Sequence, residues 1–252
     1  MKIAVITGAS SGLGAEYVRV VCATRGELDE IWVIARRADR LHALKGELGE
    51  KIRPVPLDIT APVCADTYTN LLKANNAEVM LLINCAGYGK LGNFDELDTA
   101  DNTGMVRLNC EALTLMSSLS LPFMPENSEI VNVCSIASFA PNSRMAVYCS
   151  TKPFVLSLSR CMRAELKRRK INTIAVCLGP MDTEFLGIAN IEKGTSHTFD
   201  TLPRVDPKGA ALRSLKASTK GRAVYTDRAF YKFYRIIAKI LPHSIVMKMS
   251  AT

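Results

Sequence analysis

Tyr148 and Lys152 lie four positions apart in the run Tyr148-Cys149-Ser150-Thr151-Lys152. Four residues is about one turn of helix, so on a helix the phenol and the ammonium share a face. A fixed cation beside a phenol favours the phenolate and lowers its pKa, which predicts an acid or base usable near neutral pH. Far upstream, Thr7-Gly8-Ala9-Ser10-Ser11-Gly12-Leu13-Gly14 follows an apolar, strand-like stretch and precedes an amphipathic one. Glycines there permit a tight turn and let backbone N–H groups at a helix N-terminus approach a pyrophosphate. Proton transfer beside a bound dinucleotide is the requirement of ketone–alcohol interconversion.

The end of the second strand-like run refines the nucleotide. A carboxylate there would bond a ribose 2′-hydroxyl, as NAD requires. The chain instead reads Ala35-Arg36-Arg37, with no acid before Asp39. A guanidinium matches a 2′-phosphate in charge and geometry, so Arg36 and Arg37 point to NADP(H) over NAD(H). The plain alternative is that both arginines solvate the start of a surface helix. Asp58, in Leu57-Asp58-Ile59, is placed either to bond an adenine amino group or to cap the next helix.

These residues need a scaffold, and the patterning supplies one. Apolar β-rich runs at 2–7, 31–35, 52–56, 79–84, 129–134 and 171–178 alternate with helical patterns at 12–24, 40–47, 62–74, 99–121, 150–169 and 207–220. Several runs are apolar on consecutive positions, as in parallel strands buried on both faces. The alternation predicts right-handed crossovers and a doubly wound α/β fold, in one domain over 1–252. The longest loop-like stretch is 181–206, of a length that usually carries function.

Composition narrows the class further. A chain of 252 residues that is 48% hydrophobic and 22% charged supplies a large core and excludes disorder. The apolar run after Met1 is too short for a secretory leader, and no stretch is long enough to span a bilayer. The eight cysteines form no C-x-x-C and no cluster with histidine, so free thiols in a reducing cytoplasm are expected and a metal is not. The net charge of +8 is concentrated late: from Arg222 onward six basic residues stand against Asp227.

Taken together the motifs resemble those of the short-chain dehydrogenases/reductases, and the likeness runs from Thr7 to at least Thr183. The glycine loop, Asn84-Cys85-Ala86-Gly87, Asn109, Ser135, Tyr148-x-x-x-Lys152 and Leu178-Gly179-Pro180-Met181-Asp182-Thr183 follow the family's order. The resemblance implies a three-layer Rossmann fold with a mostly seven-stranded parallel sheet. It implies Tyr148 as general acid in reduction, Lys152 as its electrostatic support and ribose ligand, Ser135 as donor to the substrate oxygen, and Asn109 on a water-linked proton path. The cofactor set it implies is Gly8, Ser10, Ser11, Gly12, Leu13, Gly14, Arg36, Arg37, Asp58, Ile59, Asn84, Ala86, Gly87, Pro180, Met181 and Thr183, with Tyr148 and Lys152. Homodimers or homotetramers are common in the family. Two departures stand out: Cys85 replaces the second asparagine of N-N-A-G, and Pro153 directly follows the lysine. The proline predicts either a helix that begins near Lys152 or one lost bond to Cys149.

Beyond the strand ends, Tyr88, Phe139 and Met145, with Ser135, are the candidate substrate contacts. No cation is clearly aimed into this set, which predicts an uncharged, apolar ketone. The segment 227–250 carries Arg228, Lys232, Arg235 and Lys239 on one helical stripe, with Phe230, Phe233, Ile237 and Ile240 away from it. Such a helix suits weak contact with an anionic membrane surface, or packs its apolar side on the substrate loop or a second subunit. No nucleic-acid-reading motif accompanies the charge. The leading expectation is an NADPH-dependent carbonyl reductase. The alternatives are an NAD-preferring hydroxysteroid- or polyol-type dehydrogenase, and a non-catalytic dinucleotide-sensing module.

Overall fold

The computed structural model describes residues 1–249, so position 250 of the basic segment lies outside the described residues. Seven parallel strands form one sheet: β1 (Lys2–Thr7), β2 (Glu30–Ala35), β3 (Ile52–Pro56), β4 (Glu78–Asn84), β5 (Glu129–Val133), β6 (Asn172–Cys177) and β7 (Val224–Thr226), in the order β3-β2-β1-β4-β5-β6-β7. The doubly wound expectation is met, and the seventh strand is the three-residue run after residue 220.

Side chains alternate across the sheet and meet a helical layer on each face. Ala4 and Ile6 pack with Tyr17, Val18 and Val21 of α1 (Gly12–Thr24), with Leu41 of α2 (Ala38–Leu48), and with Ala211 and Leu215 of α9 (Pro207–Thr219). Ile3 and Val5 pack the other way, with Tyr68 and Leu72 of α3 (Cys64–Ala74), Met116 of α5 (Leu113–Ser120) and Met162 of α6 (Ala146–Glu165). Full burial of one such aliphatic side chain contributes about 1.5–3 kcal/mol. These two apolar layers therefore hold the strand ends in place.

Three local features set up the site. The sheet switches its direction of growth between β1 and β4, so Thr7 lies level with Asn84 at the mouth of a crevice. The expected helix over 99–121 is interrupted: α4 (Thr99–Val106) passes into a wider π-helical turn, Arg107–Ala112, before α5. Such turns insert one extra residue and aim a side chain inward, here Asn109. Helix α6 begins at Ala146, not near Lys152, and runs straight through Pro153. The lost bond to the Cys149 carbonyl is thus the outcome of the proline, and Tyr148 lies in the helix's first turn.

The stretch 181–206 contains two short helices, α7 (Glu184–Ile188) and α8 (His197–Thr201). After β7 the chain forms α10 (Ala229–Ile240) and α11 (His243–Met249). Among the described residues no helix is long and apolar enough to cross a membrane.

Candidate active site

A single cleft of about 990 Å³ opens over the carboxyl ends of β1, β4 and β5. At one end is the glycine loop. Gly8 and Gly12 have positive φ, +68° and +53°, a region glycine enters without strain. A Cβ on Gly14 would lie 2.1 Å from the Gly8 carbonyl oxygen, so only glycine lets the loop close on itself. The Thr7 hydroxyl accepts from the backbone N–H groups of Cys85 (3.1 Å) and Ala86 (3.2 Å), fastening the end of β4 to the loop. No side chain caps the N-terminus of α1. Its positive dipole end and open N–H groups suit a pyrophosphate.

Next to the loop stand the arginines. Arg36 is exposed and lines the cleft. Arg37 donates to the hydroxyls of Ser10 (3.1 Å) and Ser11 (2.9 Å) and pairs with Glu184 at 2.9 Å. The arginine bond pulls the Glu184 carboxyl below its ordinary range. Asp58 accepts from the Thr60 amide (2.9 Å) and hydroxyl (2.6 Å). Burial opposes its charge, but these two bonds and the nearby Arg36 guanidinium hold it below the usual carboxylate range. Asp58 therefore caps its own turn and still faces the cleft beside Ile59.

The chemistry-bearing groups gather on the cleft floor. Ser135 (9% exposed) lies two residues beyond the end of β5, Tyr148 (7%) and Lys152 (6%) project from α6, and Asn109 (1%) projects from the π turn. The Ser135 side chain faces the cleft beside Tyr148 and favours ionisation of its phenol. The Lys152 ammonium donates to the Val133 carbonyl at 3.1 Å and lies 5.6 Å from the centre of the Tyr148 ring. Asn109 donates to the Tyr88 carbonyl (2.8 Å) and the Thr151 hydroxyl (3.1 Å) and accepts from the Tyr88 amide (3.0 Å). A Cβ on Gly87 would lie 2.9 Å from Asn109 Oδ1 and 3.6 Å from Lys152 Nζ, so the two side chains meet at that glycine.

Without a bound cofactor, burial dominates the electrostatics of the pair. Burial pushes the Tyr148 phenol above its ordinary value of 10, although the neighbouring Ser135 side chain works against this. The ammonium meets the ring and a backbone carbonyl instead of the phenol oxygen, so it does not offset the loss of water. Burial also lowers Lys152. In the cofactor-free protein Tyr148 is therefore a protonated phenol throughout the neutral range, poised to donate.

The cysteines are free, and four surround the lysine. Cys134 Sγ lies 3.1 Å from the Lys152 carbonyl oxygen, and Cys110 Sγ lies 3.8 Å from that of Thr151, so two thiols support the backbone around the catalytic turn. Burial pushes the Cys85 thiol up to about 12, which leaves it an apolar filler.

Two expected contacts fall elsewhere. Asn84 is not in the cleft; strand alternation turns its side chain into the helical layer, where it donates to Ser117 (3.0 Å) and Asn132 (2.9 Å). Phe139 is not a cleft residue either. A tight turn, Ile136–Ser138, capped by the Ser135 hydroxyl, rotates it under α10, where its ring meets Tyr234 at 6.2 Å. Tyr88 lines the cleft, but its hydroxyl donates to the Asp101 carbonyl on the Arg36 side, so it borders the cofactor end more than the substrate end. Met145 does line the cleft, as do Leu13, Gly87, Pro180, Met181 and Thr183.

The roof comes largely from the stretch 181–206, the segment expected to carry function, joined by helix α10. Phe185, Leu186, Phe199 and Leu202 come from the two short helices and their connections, and Phe230 and Ile237 come from α10. Phe185 approaches the Tyr148 ring at 5.8 Å between centroids. With Met145 and Ala140 they make the substrate end apolar.

Comparison with known proteins agrees with this geometry. A family model described as short chain dehydrogenase matches residues 2–193. A short-chain dehydrogenase from Sphingobium yanoikuyae, solved in complex with NADPH, is 30% identical, with a TM-score of 0.77 over 90% of this chain and 87% of that one. A short-chain dehydrogenase/reductase from Burkholderia phymatum, solved with NAD, shares the fold with a TM-score of 0.81 at 19% identity, over 94% and 93% of the chains. A fatty acyl-CoA reductase from Acinetobacter baylyi is 26% identical over 223 residues, 83% of this chain and 70% of that protein.

Proposed function

We infer that this chain, which belongs to the short-chain dehydrogenase family, is an oxidoreductase moving a hydride between NADP(H) and a carbonyl or secondary alcohol, in the main as a reductase of apolar ketones or aldehydes. The dinucleotide supplies the hydride. Gly8, Ser10, Ser11, Gly12 and the N-terminus of α1 hold its pyrophosphate. Arg36, with Arg37, neutralises the 2′-phosphate, while Asp58, Ile59 and Ala86 border the adenosine. Lys152 and the segment from Pro180 to Thr183 hold the nicotinamide end.

The substrate oxygen is received by the Ser135 hydroxyl and the Tyr148 phenol, two donors that line the same part of the cleft. As negative charge develops on that oxygen, Tyr148 gives up its proton and Lys152 stabilises the phenolate left behind. Asn109, meeting Lys152 at Gly87, fixes the turn through which a replacement proton reaches the lysine. Apolar walls from Met145, Phe185 and Phe199 exclude water and select an uncharged substrate.

The observation that carries this reading is the gathering of Ser135, Tyr148 and Lys152, all buried, on the floor of an apolar cleft, with the Lys152 ammonium 5.6 Å from the centre of the Tyr148 ring. The test is a panel of ketones, aldehydes and alcohols run with NADPH and with NADH, following nicotinamide absorbance. Turnover with NADPH, fastest on apolar ketones or aldehydes, is the expected result. Tight NADPH binding without turnover on any member would leave a dinucleotide sensor in its place.

A further inference from the structure

Helix α10 has two apolar faces, and only one is used. Tyr231 and Ala238 are buried against the domain, and the Tyr231 hydroxyl donates to the Pro203 carbonyl at 2.7 Å. On the other side, Phe230 is 52% exposed, Phe233 62%, Ile236 57% and Ile240 72%. At 3.6 residues per turn these four, with Ile237, span a sector of roughly 120°. Ile245 of α11 is also exposed. An ordinary surface helix shows water its polar side, so a contiguous stripe of this kind marks an interaction surface.

The charges decide between occupants. Lys232 and Lys239 are exposed along one edge of the stripe, and Arg228 and Lys248 lie exposed near its ends. Among residues 222–249 the only acid is Asp227, which is buried and paired with Arg213. Two copies of the chain meeting on this face would set these cations against one another. An anionic lipid surface complements them: phenyl and aliphatic groups enter the headgroup boundary while lysines reach the phosphates. Phe230 and Ile237 lie on the stripe and also line the cleft, so the docked face continues into the substrate entrance.

We propose that α10 and α11 seat the protein on an anionic membrane surface, with the cleft mouth beside the bilayer. The stripe supplies the apolar contact and the basic edge supplies the electrostatic one.

Vesicle flotation of the full chain tests this, using phosphatidylcholine vesicles with or without about one quarter phosphatidylserine. The protein floats with the anionic vesicles, less so with the neutral ones, and is released as salt screens the charges. Lys232→Gln with Lys239→Gln weakens partition about 25-fold, at about fivefold per charge. Phe233→Ser with Ile240→Ser abolishes flotation, while thermal melting and NADPH binding stay as in the parent, since both side chains are exposed and outside the cleft. Failure of the parent protein to float on anionic vesicles overturns the proposal. So does a dimer in sedimentation that the Phe233→Ser, Ile240→Ser variant dissociates, because a second copy would then occupy the stripe.

Discussion

The floor and the roof of the cleft are made differently. On the floor, four polar side chains are each at most 9% exposed; three are carried by helical backbone and Ser135 caps the tight turn just past β5. The roof is two five-residue helices and the inner edge of α10, with Ile188 48% exposed and His197 exposed beside the cleft. Preorganised donors act on developing charge only when they cannot move, so the proposed proton transfer suits the floor. The roof needs only to exclude water and fit an apolar body, which loosely tethered side chains can do.

Breaking the floor gives the largest effects. Tyr148→Phe removes the proton donor while keeping the ring that packs on Phe185, and lowers kcat for ketone reduction about 100–10,000-fold with little change in melting temperature. Its pH dependence follows from the sign of the shift. A buried phenol held above 10 is protonated at every neutral pH, so kcat/KM for reduction stays flat there and declines only on the alkaline side of 10. Alcohol oxidation needs the phenolate and therefore rises with pH over the same range. A reduction profile that falls already between pH 6 and 8, roughly a tyrosine shifted downward, would restore the stronger lysine influence first read from spacing. Ser135→Ala removes one donor to the substrate oxygen, at a cost of about 100-fold in kcat.

The contrast also explains what was legible from sequence. The floor carries chemistry, and chemistry demands particular residue types at fixed spacing, so Tyr148, Lys152, Ser135 and Asn109 stood out. The sheet was equally plain, because buried parallel strands are apolar on consecutive positions. The start of α6 was not, since Met145 offers no capping side chain and Pro153 mimics a first-turn proline. Asn84 and Phe139 were misplaced for a common reason: position next to a motif says nothing of which way a side chain turns. The roof has no periodic pattern, as its apolar residues serve the cleft from helices too short to repeat.

Between the two regions lies the cofactor's phosphate end, and there the effects are intermediate. Arg36 is an exposed cation in the cleft just past β2, near enough to Asp58 to favour its charged form. Arg36→Asp removes a charge-assisted bond worth about 1.5–3 kcal/mol and adds repulsion, so NADPH affinity falls about 10–100-fold. NADH affinity is unchanged or improved, as isothermal titration with each cofactor would register. Equal losses for both cofactors would place the 2′-phosphate elsewhere.

The smallest effect tests whether roof and floor communicate. Glu184, in the first turn of α7, pairs with Arg37 at 2.9 Å, and Arg37 in turn holds the hydroxyls of Ser10 and Ser11 in the glycine loop. The carboxylate and a 2′-phosphate compete for one guanidinium. On the proposed reading, binding NADPH would draw Arg37 from the roof, whereas NADH would leave the pair intact. Both partners are well exposed, so the bond contributes at most about 1 kcal/mol. Glu184→Gln should tighten NADPH up to about fivefold and leave NADH within experimental error. A gain shared by both cofactors would mean that Glu184 merely restrains the loop. No gain for either would mean that Arg37 serves the loop alone and that the 2′-phosphate rests on Arg36.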